Sequence, residues 1–330
     1  MHTRTLSMLI KASLFTALPM LMLPAAATEK TISDLVDAVN GTPDDISRDA
    51  GKKVKLRNHA NGFCTSGVFK PNPQVTETLA IPFFTQSNID VVARFSLGGT
   101  NPQSSDKTAG RFMSLKLNGE TESLHFVTSN AEVFFASNLD DFFTFQTKVK
   151  QGNEGKQWLI DNKPDAKAFF EYIKKLPPTS SYADNRYFGV NSFMFTSNNG
   201  EPVAGRWIFE PVDGVIAASA AELAQKPDHF LQQELTNRIA TTPATWDLYV
   251  QLAEKQDKVN DPTIVWPTSR QRLLIGQVII NGQHDDAKAT IECDKGIFNP
   301  LQLPKGISAS ADPILNARSA AYIESFIRRN

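Results

Sequence analysis

"VVARFSLGGTNPQSSDKTAGRFMSLKLNGETESLHFVTS", residues 91–129, is the stretch on which the fold turns. Three runs in it, "VVARFSL", "RFMSLKL" and "SLHFVTS", are rich in β-branched and aromatic residues and are separated by turn formers. Such runs read as strands. Outward from them, "SGVF" (66–69) and "EVFF" (132–135) read the same way, while "TISDLVDAVN" (31–40) reads as a short amphipathic helix. Helical patterns follow at 139–150 and 164–175, with Pro164 near the start of the second. After the loop "PPTSSYADN" (177–185), β-like runs resume in "VNSFMFTS" and "GRWIFEPV". "ASAAELAQK" and "DHFLQQELTNRIA" then read as helices, and "TWDLYVQLAE" and "RLLIGQVII" as strands that complete the sheet, although the periodicity of the first also fits a helix. Strands, a helical excursion and further strands give an α+β chain built on an antiparallel barrel or sandwich. No repeat of 20–50 residues is visible, and no composition break marks a linker.

The first 27 residues read as a signal peptide. Arg4 and Lys11 supply a basic region, an apolar run extends from about Ala12 to Leu23, and "AAAT" offers small residues for cleavage. The mature chain, residues 28–330, is then one periplasmic or secreted domain. No later stretch approaches the roughly 18 uninterrupted apolar residues that span a bilayer. Lys and Arg number 34 against 35 Asp and Glu, a net charge of −1, which gives no electrostatic footprint for nucleic acid or an anionic membrane. Cys64 and Cys293 are the two cysteines of the chain. Both lie in apolar surroundings, and the sequence leaves open whether they are buried thiols or a bridge. The 22 phenylalanines are many for the length and suit an interior that lines something large and flat.

The chain closes on "DPILNARSAAYIESFIRRN", residues 312–330. Asp312 and Pro313 stand as N-cap and first helical residue. Arg318, Tyr322 and Arg329 fall at i, i+4 and i+11, which share one face of a helix. His59 stands in the loop "KLRNHANGFCTSGVF", just before a β-like run. His125 alternates with apolar residues, His229 opens a helix, and His284 lies in the turn "NGQHDD". No HxH or HExxH pair supports a mononuclear zinc site, no GxSxG elbow supports a serine hydrolase, and no glycine-rich phosphate loop is present.

"LRNHANG" with "GVF", then "ARFS", then "TSNAEVFF" and "FF", then "RSAAY", occur in the order and spacing of the haem catalases. The chain resembles most closely the small catalase-related peroxidases, and the resemblance covers nearly all of the mature sequence. It implies an antiparallel β-barrel with surrounding helices that binds haem b. His59 matches the distal histidine, Ser96 the serine that hydrogen-bonds the far nitrogen of its ring, and Arg94 a haem-propionate contact. Tyr322 matches the proximal iron ligand and Arg318 the arginine that keeps it ionised, since a free tyrosine has a pKa near 10. Arg329 matches a second propionate contact, and Phe142 a ring stacked on the porphyrin edge. Leu56 stands where catalases have an arginine, with Arg57 next to it, which moves that propionate contact to Arg57. Alignment on "VFF" puts Ser129 in the slot of the catalytic asparagine and Asn130 in the following one. The implied activity is reduction of hydrogen peroxide or an organic hydroperoxide by a small electron donor, with His59 shuttling the proton. A true catalase is the alternative enzyme, and a barrel that binds an apolar ligand without chemistry is the alternative outside enzymes.

Overall fold

The computed structural model describes residues 30–41, 58–282, 291–293 and 296–328. The sequence-predicted leader, Arg57, His284 and Arg329 therefore lie outside the described residues.

Alternation along the strands builds the core. β1 (Gly62–Pro71), β2 (Ile89–Ser96), β3 (Phe112–Asn118) and β4 (Ser123–Ser129) pair antiparallel in a meander. β5 (Tyr187–Thr196), β6 (Pro202–Pro211), β7 (Ala244–Leu252) and β8 (Arg272–Ile280) form a second run, and β8 pairs with β1. Ser129 pairs with Phe188, so β4 meets β5 and the eight strands close into a barrel. A short β9 (Ile307–Ala309) adds to β5 beside the closure. Every second residue of each strand points inward. Phe95, Leu115, Phe126, Trp207, Phe209, Trp246 and Val278 meet there in one cluster, each at most 2 % exposed. Phe126 packs edge-to-face on Trp207 and Phe209, with ring centroids 5.1 and 5.2 Å away. The buried indole N–H of Trp246 donates to the Asn185 carbonyl at 2.9 Å. Side chains thus fill the barrel.

Besides two 3-10 helices and a helical piece at 291–293, seven α-helices surround the barrel among the described residues. α1 (Ile32–Asn40) opens them with a capping box between Thr31 and Asp34. α2 (Leu139–Val149), α3 (Gly152–Asn162) and α4 (Pro164–Ile173) form the excursion between the two strand runs. α5 (Ala220–Gln225) and α6 (Leu231–Ile239) follow β6, and α7 (Pro313–Ile327) is the terminal helix. Two expectations change. "EVFF" is not a strand: the chain leaves the sheet after Ser129, and Phe135 instead stacks on Phe142 and Phe145 of α2 at 5.5 and 3.9 Å. Helix α3 was not legible, because it opens on Gly-Asn and carries few apolar residues to give it a face. No helix among the described residues is long and apolar enough to cross a membrane.

Candidate active site

The terminal helix starts where its sequence says it should. The Asp312 carboxylate, fully buried, accepts the backbone N–H groups of Ile314 and Leu315 at 2.8 and 3.4 Å. Six residues on, the Arg318 side chain turns along the helix, and both Nε and Nη2 donate to Tyr322 Oη, at 3.0 and 2.7 Å. Two guanidinium donors thus converge on one phenolic oxygen. Arg318 Nη1 donates to Asn191 Oδ1 at 2.7 Å, and Asn191 Nδ2 donates to Asp312 Oδ2 at 2.7 Å. A relay therefore runs Asp312–Asn191–Arg318–Tyr322. Burial pushes the Asp312 carboxyl up, against the pull of Asn191 and the two backbone donors.

Asn191 was not singled out by the sequence reading. It lies in an irregularity of β5, where three residues between Gly189 and Phe193 stand opposite the single residue Arg206 on β6. Such bulges re-aim side chains. Arg206 Nε donates to Ser192 Oγ at 3.1 Å, and burial lowers this guanidinium to about 10. A polar Asn-Ser pair inside an otherwise apolar strand is the signal that could have found the position, because buried amides need partners.

His59 is the one non-glycine residue with positive φ (61°) among the described residues. The left-handed region is costly for a side chain that is not glycine, and such outliers gather at functional sites. Asn58 holds the turn by accepting the N–H groups of His59 and Gly99 on Oδ1, at 3.0 and 3.2 Å. Arg94 Nη2 donates to the His59 carbonyl at 2.7 Å. A side chain at Gly62 would meet that guanidinium at 2.8 Å and Ser96 at 2.6 Å, so the chain needs glycine there. The ring packs edge-on to Phe112, with centroids 4.3 Å apart.

The tie to the His59 ring differs from the sequence expectation. Nδ1 lies 3.1 Å from the Leu97 carbonyl, one residue beyond Ser96. A carbonyl can only accept, so Nδ1 carries the hydrogen and Nε2 of the neutral ring keeps its lone pair. Ser96 itself is buried, 2 % exposed, at the end of β2 between Gly62 and Phe112. Its backbone carries the strand into Leu97, and so it places the acceptor without supplying it.

The remaining candidates separate. Along β4, Leu124, Phe126 and Thr128 are buried inward, while His125, Val127 and Ser129 stand half-buried on the outer face. His125 and Val127 line a cleft there with Asn191, Arg318 and Pro300. Ser129 Oγ closes a local turn, donating to the Ala131 carbonyl at 3.0 Å and accepting its N–H at 3.3 Å. Asn130 does not turn to that face. Its Oδ1 accepts the Arg111 N–H at 3.0 Å, and its Nδ2 donates to Ala109 O and Asn185 Oδ1 at 2.8 and 3.3 Å. The β3–β4 register runs unbroken to Ser129, so no bulge brings Asn130 round. Phe142 is half-buried in the stack of α2, and Arg94 is buried beside His59. Arg328, near the tip of α7, pairs with Asp37 and Glu324.

The two halves of the site are joined through α1. Asn40, its last residue, accepts the Asn58 N–H on Oδ1 at 3.1 Å and donates from Nδ2 to Ser325 Oγ at 2.8 Å. One side chain thus bridges the residue before His59 and the helix that carries Tyr322. A second tie involves residues 291–293 and 296–302. Cys293 is disulfide-bonded to Cys64 of β1, and Asn299 donates to Ser319 Oγ of α7 at 3.1 Å.

Comparison with known proteins places these features among relatives. The family model described as Catalase matches residues 46–330. The chain is 30% identical over 328 residues to a catalase-related peroxidase of Synechococcus elongatus, covering 96% of this chain and 94% of that one. It is 26% identical over 306 residues to a catalase-related peroxidase of Mycolicibacterium paratuberculosis, covering 89% and 93%. Among solved structures it is similar to a fungal catalase, with a TM-score of 0.74 at 20% identity, over 87% of this chain and 61% of that one. Catalase A of Saccharomyces cerevisiae gives 0.72 at 20% identity, over 87% and 63%. The chain thus spans about three-fifths of the length of these two catalases, and nearly all of the two peroxidases.

Proposed function

The chain belongs to the catalase family, and from that premise we propose that it is a haem peroxidase that reduces hydrogen peroxide or an organic hydroperoxide at the expense of a small electron donor. The observation that carries this is the pair of Arg318 hydrogen bonds on Tyr322 Oη. A phenolic oxygen fixed in place by a guanidinium is a donor of the kind that suits ferric haem, so the residues fit the group. Tyr322 would hold the iron of haem b. Arg94, with Arg57 and Arg329 outside the described residues, would meet the propionates, and Phe142 the porphyrin edge. Bound haem supplies a Lewis-acidic, redox-active iron that takes up the oxidising power of the O–O bond.

The chain's own part is positional and protic. The Leu97 carbonyl fixes the His59 tautomer, leaving Nε2 to take the proton of the incoming peroxide and return it to the departing oxygen. The relay from Asp312 keeps Arg318 aimed at Tyr322. Dismutation, the reading as a true catalase, also needs a second peroxide held in place. The asparagine slot there holds Ser129, whose hydroxyl is engaged with Ala131, and Asn130 is spent on the barrel wall. That favours the peroxidase reading. Periplasmic or secreted placement is supported by the basic-then-apolar leader and agrees with a disulfide, which persists in oxidising compartments.

An absorption spectrum of the purified protein tests the assignment. A Soret band is expected in the wild type and its loss in Tyr322→Phe, which removes the donor oxygen and little packing. Arg318→Ala, which removes both donors from Tyr322 Oη, should retain less haem than the wild type. Full haem occupancy with an unchanged spectrum in Tyr322→Phe would overturn the proximal assignment. His59→Ala should keep the band and lose about 10²–10⁴-fold in peroxide-dependent dye oxidation.

A further inference from the structure

We propose that the cavity between the start of α6 and the chain just after His59 docks the electron donor, and that the donor is a neutral aromatic carrying a hydroxyl or amine, such as a phenol. This rests on the peroxidase reading above and names the reductant class for it. The cavity measures about 410 Å³, within the usual range for a small-molecule site and ample for one substituted ring. Asn61, Phe63, Asp106 and Tyr182 line it on one side, and His229 with residues 231–233 and Thr236 of α6 line it on the other. The Phe63 and Tyr182 rings, 7 % and 2 % exposed, meet edge-to-face at 5.8 Å and form the apolar floor of the cavity.

Charge decides the class. Asp106 Oδ2 already accepts the N–H groups of Phe230 and Leu231 at 2.7 and 2.8 Å, so the first donors of α6 are spent. An anion entering here meets the Asp106 carboxylate, and among the described residues the one lining group able to carry positive charge, His229, is exposed to solvent. Asp106 Oδ1 is approached by Asn61 Nδ2 at 3.5 Å, a weak contact, and keeps acceptor capacity for an O–H or N–H. The site therefore favours neutral hydrogen-bond donors over anionic reductants.

Position connects the cavity to the chemistry. The Asn61 carbonyl accepts the Leu97 N–H at 2.9 Å, and the Leu97 carbonyl accepts His59 Nδ1 at 3.1 Å. A single residue, Leu97, separates the cavity wall from the proton-shuttling ring. Each phenol gives up one electron and one proton. Two phenols reduce one hydroperoxide to an alcohol and water, leaving two phenoxyl radicals, so atoms and electrons balance.

The test uses the haem-loaded full chain, p-cresol as the neutral donor and the dianionic dye ABTS as the donor the cavity should refuse. Thr236→Trp fills the cavity from α6, and Asn237→Trp places the same bulk on the exposed neighbouring position. We expect Thr236→Trp to raise the KM for p-cresol at least tenfold and to abolish p-cresol binding in saturation-transfer NMR. ABTS oxidation should remain at the wild-type rate, and Asn237→Trp should change neither. Unchanged p-cresol binding and KM in Thr236→Trp, or an equal loss of p-cresol and ABTS turnover, would overturn the docking site while the peroxidase reading stood. Oxidation of neither donor by the haem-loaded wild type would overturn the peroxidase reading, and the donor role with it.

Discussion

At residue 129 a single side chain separates two peroxide chemistries. The Ser129 hydroxyl is short and turned back on Ala131, so it offers no amide to a second peroxide. Ser129→Asn restores the longer side chain on the half-buried outer face of β4. It should raise oxygen evolution from hydrogen peroxide more than it raises dye oxidation. Equal effects on the two rates, measured with an oxygen electrode and a dye assay, would show that position 129 does not choose between them. Four residues earlier on the same face, His125 has no part in the proton shuttle but carries a pH signature. Burial first, and the nearby Lys116 second, push its imidazole down to about 4. Its Nδ1 accepts the Asn299 N–H at 3.2 Å, which also favours the neutral ring. Because the folded pKa lies below the unfolded value of about 6.5, the unfolded chain binds more protons between these values. Stability is therefore present above about pH 6.5 and falls towards pH 4, by on the order of 3 kcal/mol if the whole shift is realised. His125→Asn keeps an acceptor near Nδ1 without the titration. Urea midpoints between pH 7 and 4 should fall less in that variant than in the wild type, and parallel curves would exclude His125 as the cause.

At the scale of elements, α7 begins and the proximal relay begins at the same carboxylate. Asp312 caps the helix and holds Asn191, so its replacement acts on both. Asp312→Ala should cost about 1–2 kcal/mol through the lost cap alone. It also releases Asn191 and, through it, Arg318. The expected result is lower thermal stability together with a shifted haem absorption band, whereas a stability loss with an unmoved band would limit Asp312 to capping. The i,i+4 spacing of Arg318 and Tyr322 was legible because helix geometry sets which residues are neighbours on one face. Asn191 was not legible as their partner. The register irregularity in β5 decides where it points, and nothing in the period-2 pattern announces that irregularity.

At the scale of the molecule, Cys64 and Cys293 join positions 229 residues apart. The bridge ties the strand that follows His59 to Cys293, upstream of α7. Closing so long a loop restricts the unfolded chain, and such bridges typically contribute about 2–5 kcal/mol. Cys293→Ser should lower the melting temperature by about 5 °C for a chain of this size. Wild-type protein in reductant should melt with the variant, and identical melting with and without the bridge would show that α1 and the barrel suffice to hold the two ends.

What the sequence determined by itself is whatever depends on neighbours along the chain. Alternation set the strands from 91 to 129, Asp312 and Pro313 set the start of α7, and four-residue spacing set Tyr322 beside Arg318. The same local logic failed where local signals were thin, in α3 and "EVFF". Tertiary structure alone decided which distant groups meet. Barrel closure brought Ser129 beside Phe188, the disulfide joined Cys64 to Cys293, and Asp106 came to cap a helix more than a hundred residues away. It also set the Leu97 carbonyl, rather than Ser96, on the His59 ring. The reason is physical. Backbone periodicity constrains contacts within a turn or a pleat, whereas contacts between elements depend on strand register, bulges and closure, which only the assembled barrel fixes.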